Sequence, residues 1–184
     1  MLRLSARDGK RLADRLIDPT GPLLVDAMEA AEPCSMGEVD EATASYIVAL
    51  RNPFELLRQA EAQLAGLIVL ATVSGQAIAG HPMLDLAVEA VREAEDGIRA
   101  ARVPEQARHH HRHLLEALQE MQHAIKATRR CLVRGDEAAI DAVLIPLRAG
   151  HQHLLWATGA LPGFEIVALS QSCCAQHASA KQTE

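Results

Sequence analysis

Apolar residues recur three and four positions apart over most of this 184-residue chain, and proline- or glycine-bearing joints interrupt them. That period belongs to helices with one buried face. The joints are Asp18-Pro19, Glu32-Pro33, Asn52-Pro53, Gly80-His81-Pro82, Val103-Pro104, Gly135-Asp136 and Leu161-Pro162-Gly163. Between them the pattern predicts helices over 3–17 and 22–31, then one from a Ser35-x-x-Glu38 capping box to about Arg51. Longer helices follow over 53–80, 83–102, 104–134 and 137–159. Composition agrees: 33 Ala and 24 Leu favour helix, while two Phe, one Tyr and one Trp leave little to fill a sheet.

The expected fold is an all-α antiparallel helical bundle. Short joints at 80–82, 103–104 and 135–136 make consecutive helices antiparallel neighbours, giving a four-helix core. Residues 1–52 are expected to add N-terminal helices on or beside a bundle of residues 53–177, with 178–184 as a frayed tail. On the helix 83–102, Arg92/Asp96 and Glu95/Arg99 stand four apart, as on a solvated face.

Charge and cysteine usage narrow the partners. A net charge of −6 argues against nucleic acid. The stretch from Ala62 to Leu84 has no Asp, Glu, Lys or Arg, but Gln63, Gln76, His81 and Pro82 interrupt it, so it reads as a buried helix and not a membrane span. The opening residues lack the apolar core of a signal peptide, and Asp8 and Asp14 argue against an organelle presequence. Cys34, Cys131, Cys173 and Cys174 form no disulfide framework and are expected as thiols, which favours the cytoplasm.

The nine histidines are the unusual feature. On the helix 104–134, advancing 100° per residue groups Leu114, Leu115, Leu118, Gln122 and Ile125 on one side with His111. His109 and His113 fall on the opposite, exposed face, at a spacing that presents two imidazoles to one metal. Two ligands do not complete a zinc site, so a second chain or the tail must supply the others. In the tail, Cys173-Cys174-x-x-His177 puts Cys173 and His177 on one face if helical, a donor set suited to zinc or another transition metal. On the helix 137–159, His151 falls within the apolar face and His153 points away. Antiparallel register brings His151 towards Gln122, giving a candidate polar pocket or a buried His–Gln hydrogen bond. Trp156 falls opposite the apolar stripe of its helix. It is expected to be covered by the C-terminal segment with Phe164 and Ile166, or by a second subunit in a homodimer.

No phosphate loop, serine-hydrolase elbow or His-Glu-x-x-His is present. The spacing assembles no acid, base and nucleophile set. The first expectation is therefore a non-catalytic interaction or accessory module in the cytoplasm, acting as a homodimer or on a protein partner. The alternative is a helical bundle that binds a metal or metallocofactor through histidine, with cysteine as a possible further ligand.

Overall fold

The computed structural model of the protein describes residues 39–74, 80–131 and 137–164. Four α-helices account for nearly all of them: α1 (Glu41–Ser74), α2 (Pro82–Ala100), α3 (Arg108–Cys131) and α4 (Glu137–Ala160). A single 3-10 turn, Glu105–Ala107, leads into α3. There is no strand among the described residues. The all-α bundle expected from the sequence is the fold.

Cross-helix contacts set the directions. Pro53 lies against Gly97 and Gly66 against Met83, so α1 and α2 run antiparallel. His113 meets His153 and Met121 meets Gly150, so α3 and α4 are antiparallel too. Thr43 bonds Gln106 and Tyr46 bonds His110, which aligns α1 with α3. The bundle is thus up-down-up-down, as short joints require.

One expectation fails at Asn52-Pro53. Instead of starting a helix there, α1 runs through it for 34 residues, so the boundary drawn between residues 52 and 53 is absent. The reason lies in the buried seam. Thr43, Tyr46, Leu50, Pro53, Leu57, Ala60, Leu64 and Leu67 alternate three and four apart without a break, and all are buried. Burying that whole stripe outweighs the one backbone hydrogen bond that proline removes. The proline ring is itself packed, with a Cβ added at Gly97 falling 2.6 Å from its Cγ. The helices expected at 3–17 and 22–31, the Ser35/Glu38 capping box and the tail at 178–184 lie outside the described residues. At the described start of α1, Asp40 Oδ1 accepts from the Thr43 backbone N–H at 2.7 Å.

The joints at 80–82 and 161–163 behave as their residues dictate, while Gly135-Asp136 lies outside the described residues. Gly80 takes a positive φ of 88°, His81 Nδ1 accepts the Met83 N–H at 3.2 Å, and Pro82 opens α2. On α2 both expected pairs form, Arg92–Asp96 at 3.6 Å and Arg99–Glu95 at 2.6 Å. They are surface contacts and add little stability. Leu64, Leu67 and Ile68 are core residues, and among the described residues no helix is long and apolar enough to cross a membrane. Past α4, Gly163 at φ 90° turns the chain so that Phe164 plugs the end of the core against Phe54, ring centroids 5.3 Å apart.

Two glycines give a paired test. A methyl group at Gly97 meets a rigid proline ring, whereas at Gly159, also helical, it meets nothing within 4 Å. Gly97→Ala is expected to lose about 1–2 kcal/mol after its gain in helix propensity. Gly159→Ala should gain up to about 1 kcal/mol. Urea unfolding of the two variants checks both signs.

Candidate metal centre

The first turns of α3 carry Arg108, His109, His110, His111, Arg112 and His113 in succession. Helical geometry distributes them around the axis, so each histidine meets a different environment. The buried side of α3 overlaps the expected one in part: Leu114, Leu118 and Ile125 are buried as expected, while His111 and Gln122 are only half-buried. His110, Leu114, Ala117, Met121, Ala124 and Thr128 form the seam, while Leu115 is 40% exposed. The true stripe is rotated by about a quarter turn from the leucine-weighted one.

His110 is fully buried, with its ring on Phe164 at 4.2 Å and its Nδ1 2.9 Å from the Tyr46 hydroxyl. The same hydroxyl stands 3.3 Å from His111 Nδ1, so one tyrosine oxygen serves both rings. The His110 Nε2 is buried with no hydrogen-bond partner among the described residues. Burial, reinforced by the neighbouring histidines, pushes the His110 pKa down to about 3. Burial also lowers His111 and raises the Tyr46 phenol. This group is a neutral, hydrogen-bonded part of the core.

His109 and His113 share one face, as their spacing requires, but only the His109 end of it is solvated. His113 is only 7% exposed because α4 lies over it. His113 Nδ1 is 3.2 Å from His153 Nδ1 and 3.4 Å from Glu116 Oε2. His153 Nδ1 is 3.1 Å from the same carboxylate oxygen. Trp156 walls the site, its ring 5.3 Å from that of His113 and 5.0 Å from that of His153. His109 sits behind, with its Nε2 3.2 Å from His113 Nε2, the ring nitrogen that faces away from the triangle. Burial and the adjacent His109 lower the His113 pKa against the pull of Glu116, which keeps the imidazole neutral near pH 7.

Three ligand atoms therefore converge, a grouping that could hold a metal ion. Zinc bonds of 2.0–2.1 Å in tetrahedral geometry set ligand atoms about 3.3–3.4 Å apart. The observed triangle of 3.1, 3.2 and 3.4 Å has that size. Neutral imidazole and carboxylate are also the forms that bind metal.

The sequence reading missed two of these three residues. Glu116 was not singled out, although it follows His113 by three residues on one helix face. His153 was expected to point away, but it turns to the α3 flank of α4. His151, two residues earlier, turns to the opposite flank and meets Glu61 Oε1 at 2.7 Å. That carboxylate raises the His151 pKa in spite of partial burial. The expected His151–Gln122 pocket does not form, because Gln122 donates to Glu95 Oε2 at 3.0 Å instead. Phe164 packs on Phe54 and His110 and so is unavailable to cover Trp156, which stays 37% exposed. Cys173, His177 and Ile166 lie outside the described residues. Comparison with known protein families, curated proteins and solved structures finds no match for the chain.

Buried His110 predicts a pH effect on stability. Its folded pKa lies below its unfolded value near 6.5, so the unfolded chain takes up the proton first as pH falls. The contribution is complete above that value and is lost between pH 6.5 and 3, at about 1.4 kcal/mol per pH unit. From pH 7 to pH 5, urea unfolding should cost the wild type about 2 kcal/mol more than it costs His110→Gln. Equal losses would clear His110 of this role.

Proposed function

We propose that the protein binds one divalent transition-metal ion, zinc foremost, through His113, Glu116 and His153. The observation that carries this reading is the convergence of His113 Nδ1, His153 Nδ1 and Glu116 Oε2 within 3.4 Å of one another, against a buried helix face. Without an ion, the two imidazole nitrogens and the carboxylate oxygen are partners of one another. A divalent cation satisfies all three together. Two histidines and one carboxylate with an open position form a donor set used for catalytic zinc and for non-haem iron. On this reading a fourth position is left for water, a substrate atom, or a ligand from the tail such as Cys173 or His177. His109, expected from its spacing to be a ligand, lies one layer out.

Trp156 is the only tryptophan of the chain and stands beside two of the three ligands. In untagged protein never exposed to a metal column, one equivalent of Co²⁺ should quench its fluorescence, and Zn²⁺ should reverse the quench. Glu116→Ala and His153→Ala are each expected to abolish this one-to-one response, while His123→Ala, on an exposed part of α3, retains it. Full quenching in both site variants would overturn the assignment.

A second reading, a cytoplasmic interaction module working as a homodimer or on a protein partner, draws support from exposed apolar side chains. Val48, Leu86 and Ile145 are 78%, 58% and 54% exposed on three different helices, and Trp156 is half open. If Trp156 anchors such an interface, Trp156→Ala should shift a dimer towards monomer in sedimentation. A wild-type chain that sediments as a monomer removes the homodimer.

A further inference from the structure

Helix α4 carries two seams. One holds Leu147, Gly150, Leu154 and Ala157, buried against the bundle. On the opposite side Ala142, Ile145, Ala149, Gln152, Trp156 and Gly159 follow at alternating steps of three and four, all exposed or half-buried and none charged. That alternation is the seam by which one helix packs along another. Ile145 and Trp156 are 54% and 37% exposed, and a Cβ added at Gly159 meets nothing within 4 Å. The Trp156 ring is held from behind by His113 and His153, and an aromatic side chain fixed in place beforehand is a ready anchor for a partner.

We propose that two copies of the chain pair through this uncharged face of α4, antiparallel, with Gln152 on the two-fold axis and Trp156 seated on Ala149 of the second copy. The inference rests on the homodimer reading above and gives it a face, a direction and a register. In this register Ile145 meets Gly159 of the second copy, so each large side chain faces a small one. The two Gln152 amides meet at the axis, where each offers the donor and the acceptor that the other needs. A parallel pair would instead stack tryptophan on tryptophan and leave alanine facing alanine. Charge on the neighbouring edge of α3 agrees. His113 meets His153 and Met121 meets Gly150, so exposed Arg112 and half-buried Glu120 stand on either side of the level of Gln152. The same axis brings Arg112 towards Glu120 of the second copy, while Glu116 between them is turned inward to His113 and His153. The area is also adequate. The 24 residues of α4 are about 36 Å long, and with the edge of α3 the strip is about 20 Å wide, so two copies bury roughly 1,400 Å² together, within the range of about 1,200–2,000 Å² for specific complexes.

The test is a concentration series in the analytical ultracentrifuge with the untagged full chain, in chelator so that no ion links the copies. The wild type should sediment as a dimer. Trp156→Ala and Ala149→Leu should each weaken the dimer at least about tenfold, as loss or crowding of an anchor does. The double variant should recover to within about threefold of wild type, because the enlarged position 149 then faces the emptied position 156 of the second copy. Gln152→Glu, which touches nothing in the core, should dissociate the dimer by setting two carboxylates face to face. Val48→Glu, on an exposed part of α1, should leave it intact. A dimer indifferent to Gln152→Glu and Ala149→Leu overturns the face and leaves the homodimer reading standing. A dimer weakened by both single changes at 149 and 156 with no recovery in the double variant overturns the antiparallel register. A wild type that stays monomeric overturns the proposal together with the homodimer reading.

Discussion

The contact on which the site depends is the close approach of α3 and α4 at Gly150. A Cβ there would stand 2.5 Å from Met121 Cε and 3.6 Å from the Ala117 carbonyl oxygen. Glycine on one helix and alanine on the other let the two backbones come together, as close-packed interiors require. That approach fixes the antiparallel register, and the register brings His153 level with His113 nearer the other end of the hairpin. A longer side chain at position 150 would separate the helices, and the three ligand atoms would no longer lie within one ion's coordination sphere.

The site is also a product of unequal burial. The histidines of α3 are close in sequence, yet each has its own environment. His110 belongs to the core with Tyr46 and Phe164, while His113 lies under α4 beside a carboxylate. His109 is exposed and faces the back of His113. A run of like residues thus becomes a core group, a candidate ligand and its support, because successive positions on a helix diverge by 100°.

The architecture was legible from spacing, since long apolar periodicity and short proline- and glycine-marked joints leave few alternatives to an antiparallel bundle. Asn52-Pro53 misled because start signals are local, whereas the seam from Tyr46 to Leu67 is continuous. The site was legible in part. Antiparallel pairing about Gly135 already puts position 113 within about a turn of 153. Their meeting is hidden because Leu115 and Gln122 pull the apparent buried face of α3 away from His113. Ala117, Ala124 and Thr128 mark it better, and choosing their stripe turns His113 inward. The His151 expectation failed because α1 offers it the carboxyl group of Glu61 where Gln122 was expected.

The length of α1 has a mechanical consequence. Its 34 residues span about 51 Å, against about 28 Å for the 19 of α2. The later part of α1 zips to α2, through Pro53 and Gly66, while its first turns reach α3 through Thr43 and Tyr46. One uninterrupted rod therefore touches both hairpins. The same rod meets α4 through Glu61 and His151, so it braces the hairpin that carries the candidate metal centre at more than one level.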